Sequence, residues 1–165
     1  MEVFENAETE WIFGFDNLRT KAVLGCVKPD TFSDLMKIDG VMHSVGAAPL
    51  AEILLRKGVA GIKDIISCRD DIFIELTERG IERHMAYRVM NNVRGGQGLS
   101  SEMEYIMKSA GIPEWYIMSC KLIDYVFPKA HCAEYVRLAW QLAYYKAHFP
   151  VVFESIAESL ENVLY

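Results

Sequence analysis

Apolar residues recur every three or four positions along most of this chain, and the runs are cut by glycine and proline. That spacing predicts amphipathic helices with defined stops. Residues 8–25 predict a first helix, with Trp11, Phe15, Leu18 and Ala22 on one face and Gly25 ending it before Pro29. Thr31 and Asp34 nearly match a capping box and open a short helix over 32–38. Residues 39–48 read as a loop, because they hold two glycines among small residues. Pro49 then suits the first position of a helix closed by Gly58.

Asp70 and Asp71 place carboxylates at the positive end of the next helix, which stops at Gly80. A helix over about 81–93 puts Ile81, Met85, Val89 and Val93 on one face and ends at Arg94-Gly95-Gly96-Gln97-Gly98. Ser101 and Glu104 read as a capping box for a helix that ends at Gly111. Pro113 opens a helix to about Tyr125, Pro128 the longest one to about His148, and Pro150 the last one to about Val163. No segment alternates as a strand would between hairpin turns. The expected fold class is all-α, a compact multi-helix domain over residues 1–165.

Composition narrows the function. The hydrophobic fraction of 52% supports a core, and the net charge of −6 argues against strong autonomous DNA binding, which draws its affinity from cationic contacts to phosphate. No apolar run reaches the roughly 18 residues of a membrane span, and the acidic start Met1-Glu2-Val3-Phe4-Glu5 is unlike a secretory signal. The expectation is a soluble cytoplasmic protein. Cys26, Cys68, Cys120 and Cys132 lack metal-ligand spacing, so they read as buried free thiols with no metal.

The chemical signals are local. Gly95, Gly96 and Gly98 suggest a phosphate loop, yet no strand precedes them and no Lys-Ser/Thr follows, so they read as a flexible connector. Lys129 and His131 fall in the first turn of the longest helix, where an anion site competes with a plain packing role. No frame joins Ser, His and an acid, so no nucleophile and no catalytic residue is assigned. Trp140, Tyr144, Tyr145, Phe149 and Phe153 partly follow helical spacing and read as core or as a partner groove. Trp140, Tyr144, Tyr145 and Phe153 are the interface candidates, since aromatics concentrate in interface cores.

Four strings together are more specific. They are Thr31-Phe32-Ser33-Asp34-Leu35, Cys68-Arg69-Asp70-Asp71-Ile72, Pro113-Glu114-Trp115-Tyr116-Ile117 and Phe127-Pro128-Lys129-Ala130-His131, the last followed by Tyr135 and Val136. In this order the chain resembles the PolC-type DNA polymerase III alpha subunit over about residues 19–153, with residues 1–18 an unmatched N-terminal helix or arm. The matching part of that family is the helical fingers region. The resemblance implies nucleotide or DNA contact by Arg69, Lys129, His131, Tyr135, Arg94 and His43. In the family the metal-binding aspartates belong to the palm, whose motifs are not among the matched strings. The chain is therefore not expected to act as an enzyme alone. No cofactor is expected, and Mg²⁺ and dNTP enter only with a palm-bearing partner.

The departures from the family pattern lower positive charge. Gly95 and Gln97 stand where the family carries lysines in the connector, and Leu122 and Asp124 where it carries two more. Cys132 and Glu134 replace small alanines, and Ser44-Val45-Gly46-Ala47-Ala48 replaces Gly-Thr-Asp-Val-Trp. A carboxylate at Glu134, one turn after Ala130, opposes a bound triphosphate. The leading expectation is a non-catalytic protein derived from polymerase fingers. It acts through a protein partner in or against DNA replication, such as a replisome component, and a phage or mobile-element origin fits. The alternative is the fingers subunit of a split polymerase, and the third is an autonomous nucleotide or single-strand DNA binder. Oligomeric state stays open.

Overall fold

The computed structural model describes residues 1–164, with side chains to Leu160. Ten helices follow one another: α1 (Glu2–Glu5), α2 (Leu18–Val27), α3 (Phe32–His43), α4 (Ala47–Arg56), α5 (Arg69–Glu78), α6 (Arg83–Arg94), α7 (Ser101–Ser109), α8 (Glu114–Leu122), α9 (Lys129–His148) and α10 (Pro150–Leu164). The all-α expectation is met. Among the described residues the extended pairing is limited to two isolated bridges, Val45 with Tyr125 and Cys68 with Phe127. No helix of the described residues is long and apolar enough to cross a membrane.

Among the described residues, three apolar clusters hold α1–α9 together. The first joins α5–α8 through Ile72, Leu76, Val89, Met107 and Ile117. The second gathers α1–α3 against α9 through Phe4, Phe15, Leu24, Leu35, Ile38 and Val136. The third sets α4 on Val41 and Ile65. Met42 packs on both the second and third clusters, and Trp115 on both the first and third, so the clusters are physically joined. Each fully buried Ile, Leu or Phe contributes roughly 1.5–3 kcal/mol of transfer free energy.

The N-terminal expectation fails. Residues 8–25 are not one helix: Trp11 and Gly14 have positive φ of 64° and 78°, a conformation that breaks a right-handed helix. Asn17 then caps α2, its side chain accepting the Thr20 N–H at 2.9 Å. Of the four expected core residues only Phe15 is buried; Leu18 is 89% exposed. Residues 1–18, expected as an N-terminal helix or arm, bring Val3, Phe4 and Ile12 into the second cluster. Gly25 lies inside α2, which ends at Lys28 with φ of 48°.

Other boundaries shift for local reasons. The Thr31–Asp34 capping box is present, but α3 runs on through Asp39 and Gly40 to His43. A loop over 39–48 is therefore wrong. Gly40 serves inside the helix by letting it meet the Ser67 backbone, which a Cβ would approach to 2.7 Å. Pro49 is third in α4 rather than first, behind Gly46 at φ 82°. Glu82 caps α6. Ser100, not Ser101, caps α7 by accepting the Met103 N–H, and Glu104 pairs with Lys121 at 2.7 Å instead. Helix α8 ends at Leu122, short of Tyr125, because the next residues leave it to pair with Val45.

Candidate functional site

The fourth motif is fixed by a backbone junction. Val45 donates its N–H to the Tyr125 carbonyl at 3.0 Å, and Asp124 donates to the Val45 carbonyl at 3.0 Å. On the other side Arg69 donates to the Phe127 carbonyl at 3.1 Å. Ser44 pins the centre: its Oγ accepts the Phe127 N–H at 3.0 Å. The same hydroxyl donates toward the Gly40 carbonyl at 2.7 Å and the Ser67 carbonyl at 3.1 Å. The glycine connector is packed here rather than free, because a Cβ on Gly96 would lie 2.6 Å from the Asp124 carbonyl.

This junction sets the N-termini of α5 and α9 side by side. Arg69 and Lys129 are the first residues of those helices. Asp70 Oδ2 accepts the Lys129 backbone N–H at 3.1 Å and lies 3.9 Å from Arg69 Nε. Asp71 caps its own helix, with Oδ2 accepting the Cys68 N–H at 3.0 Å and the Ser67 hydroxyl at 2.7 Å. Lys37 Nζ sits 2.9 Å from the same oxygen, and Lys129 Nζ is 3.8 Å from Oδ1. Burial raises the Asp71 carboxyl, but the Lys37 charge and these hydrogen bonds outweigh it and hold the group below its usual range.

A polar groove of about 400 Å³ opens along this face. Its lining sets Lys37, Lys63, Arg79 and Lys129 against Asp64, Asp71, Glu75 and Glu78, four cations to four carboxylates. A phosphate therefore meets no net positive charge there. Such balance weakens phosphate binding, which depends on cationic excess.

His43, Phe127 and Tyr135 form a near-parallel ring cluster. His43 lies 4.8 Å from Phe127 and 5.3 Å from Tyr135, and Phe127 lies 6.0 Å from Tyr135. Offset stacking of this kind stabilises by about 0.5–1.5 kcal/mol per pair. His43 Nδ1 donates to the Asp39 carbonyl at 2.9 Å, and the Asp39 carboxylate lies 3.3 Å away. That contact is an ion pair without hydrogen-bond alignment, since both carboxylate oxygens are buried with no hydrogen-bond partner. The Asp39 interaction raises the His43 imidazolium above its ordinary range despite partial burial.

His131 packs on Phe127 at 5.6 Å between ring centres. Arg69, Lys129, His131, Tyr135 and His43 thus converge, whereas Arg94 ends α6 with no ion pair among the described residues. Glu134 faces solvent and pairs with Arg137 at 3.0 Å. Lys37, Ser44 and Asp39 were missed as site residues. Asp39 carried a signal, an acid beside Ile38 and Val41 in an amphipathic run, whereas Lys37 and Ser44, the C-cap of α3, carried none.

The interface candidates divide. Trp140 stacks on Phe4 at 6.4 Å and meets Phe32 edge-on at 5.9 Å. Tyr144 faces His148 at 4.3 Å. Tyr145 and Phe153 instead line a separate apolar groove between α9 and α10. Of the thiols, Cys68, Cys120 and Cys132 are buried, while Cys26 is exposed, against expectation, on the outer face of α2. Cys68 Sγ and Cys132 Sγ touch at 3.3 Å beneath the paired helix ends.

Comparison with known sequences decides the relationship. The chain is 43% identical over 134 residues to "DNA polymerase III PolC-type" of Listeria welshimeri, covering 81% of this chain and 9% of that protein. The namesake of Thermotoga petrophila is 40% identical over 145 residues, covering 86% and 11%. That of Staphylococcus aureus is 41% identical over 139 residues, covering 84% and 10%. The chain is homologous to one segment of PolC-type DNA polymerase III. No protein-family model matches it. The chain spans about a tenth of the length of these PolC-type relatives, 9–11%. The four motifs named from sequence lie in this homologous PolC-type region.

Proposed function

We propose that this PolC-type domain acts through a protein partner in or against DNA replication and has no catalytic role alone. The observation that supports this most is charge balance at the converged helix ends. The first free N–H of α9 is taken by Asp70, and Lys129 and Lys37 are matched by Asp71. A helix N-terminus attracts phosphate through free N–H groups and positive potential. Here both are partly spent inside the fold. Isothermal calorimetry at physiological salt with Mg²⁺-dATP, and separately with primer-template DNA, tests the reading. Neither ligand is expected to saturate the protein below about 1 mM, equivalent to roughly −4 kcal/mol. Tight binding of either ligand overturns it.

A second reading has its own support. Arg69, Lys129, His43, His131 and Tyr135 come together from three helices, as a nucleotide-facing surface requires. In that reading the domain serves as polymerase fingers, and Mg²⁺ and dNTP bind only beside a palm-bearing partner. Addition of dATP affinity on mixing with such a palm, lost in Lys129→Ala, favours it. Autonomous nucleotide or single-strand DNA binding is the weakest reading, because the chain carries a net charge of −6.

A further inference from the structure

The C-terminal hairpin of α9 and α10 leaves an unusual surface. Helix α10 packs chiefly on α9, and of its described apolar side chains Ala157 is buried at 6% exposure. Val152, Ile156 and Leu160, spaced four apart, are each more than half exposed. With Trp11, Tyr145 and Phe149 they line a groove of about 490 Å³ that contains no charged residue among the described residues. An apolar strip of this length on a helical hairpin fits the apolar face of another helix.

The rim selects the occupant. Glu10, Glu154 and Glu158 border the adjoining cleft, and its one cation among the described residues, Lys146, is held by Glu10 at 3.1 Å. Glu10 also binds Lys21 at 2.7 Å, leaving the carboxylates of α10 as the outward charge. The sequence of α10 contains no Lys, Arg or His. A second copy packed through this helix brings more carboxylates and no cation to answer them. We infer that the α9–α10 groove docks an amphipathic helix of a partner protein whose apolar stripe is flanked by lysine or arginine. This rests on the reading that the domain acts through a protein partner, and it names the face and the chemistry of that partner.

The test uses the full chain and two synthetic helical peptides of about five turns. Both have a leucine stripe; lysines flank it in one and glutamates in the other. Trp11 lines the groove, so its fluorescence reports occupation, checked against a Trp11→Phe variant. The lysine peptide is expected to bind, about tenfold more weakly when salt is raised or in Glu154→Lys/Glu158→Lys. Ile156→Glu, at a surface position, is expected to abolish binding with an unchanged circular dichroism spectrum. Equal binding of both peptides, or binding that survives Ile156→Glu, overturns the inference. So does a concentration-dependent dimer in sedimentation that Ile156→Glu dissolves, which assigns the groove to a second copy. Nucleotide binding in the calorimetry removes the broader reading without changing the peptide result, so the two failures are distinguishable.

Discussion

Asp70 and Lys129, 59 positions apart, share one hydrogen bond: the Lys129 backbone N–H donates to Asp70 Oδ2 at 3.1 Å. Pro128 precedes α9 and supplies no capping side chain. The Asp70 side chain therefore caps the first N–H of a helix to which it does not belong, and it ties α5 to α9. Asp70→Ala is expected to lower stability by about 1 kcal/mol, the usual cost of a lost cap. It should also free an N–H and remove a negative charge, so inorganic pyrophosphate should bind more tightly. Asp70→Asn keeps a capping oxygen and should recover most of the stability. Urea unfolding and a pyrophosphate titration check both effects; an Asp70→Ala variant as stable as the parent excludes the capping role.

His43 makes stability depend on pH in one direction. Asp39 raises its pKa above the ordinary 6.5. The folded state therefore binds the proton more tightly than the unfolded chain does. The contribution is fully present below about pH 6.5 and is lost as pH rises through the folded value. The stability difference between the parent and His43→Gln should shrink as pH rises above 6.5. A difference that stays constant or grows from acid to mildly alkaline pH contradicts the ion pair. A proton-detected titration of the His43 ring gives the midpoint directly.

Two glycines in helices should respond oppositely to alanine. A Cβ on Gly25 in α2 meets nothing within 4 Å, so Gly25→Ala should stabilise by about 0.5–1 kcal/mol through reduced chain entropy. A Cβ on Gly40 in α3 would lie 2.7 Å from the Ser67 carbonyl and 2.8 Å from Cys68 Sγ. Gly40→Ala should cost roughly 1–3 kcal/mol through overpacking. Thermal melts of the two variants check the opposite signs. Equal shifts of the same sign contradict the close approach of α3 to Ser67.

These glycines also show what the sequence carried. Helices α5–α10 were legible because their apolar spacing agrees with their glycine and proline stops, as at Gly80, Pro113 and Pro150. Residues 8–16 were not, because Trp11 adopts positive φ in spite of its side chain, in a turn whose hydrogen bonds, from Trp11 N–H to Asp16 and from Thr9 to the Phe15 carbonyl, no apolar spacing announces. Gly40 looked like a loop residue, yet its bare backbone is what lets α3 meet Ser67. The site divides the same way. Lys129 and His131 were visible as a helix start. The link from Asp70 to Lys129 and the ring cluster of His43 with Phe127 depend on contacts across dozens of residues, which no local pattern encodes.

The four thiols occupy different environments and should react in order. Cys26 is exposed on α2. Burial pushes the Cys120 thiol up to about 12, so it has almost no thiolate at neutral pH. Cys68 and Cys132 are both buried and in contact, at the point where Ser44 ties α3 to the Phe127 segment. An aromatic disulfide reagent should therefore titrate one thiol quickly in the native protein and all four in denaturant. Cys26→Ser should remove the fast phase. Cys68 and Cys132 should react only when the junction opens, so their rate measures local opening rather than intrinsic reactivity. Ser44→Ala, which removes the acceptor of the Phe127 N–H and the one proton shared by the Gly40 and Ser67 carbonyls, should accelerate that slow phase while leaving Cys120 less affected. If all three buried thiols instead speed up together, the junction does not open as a separate unit, and the slow phase reports global unfolding.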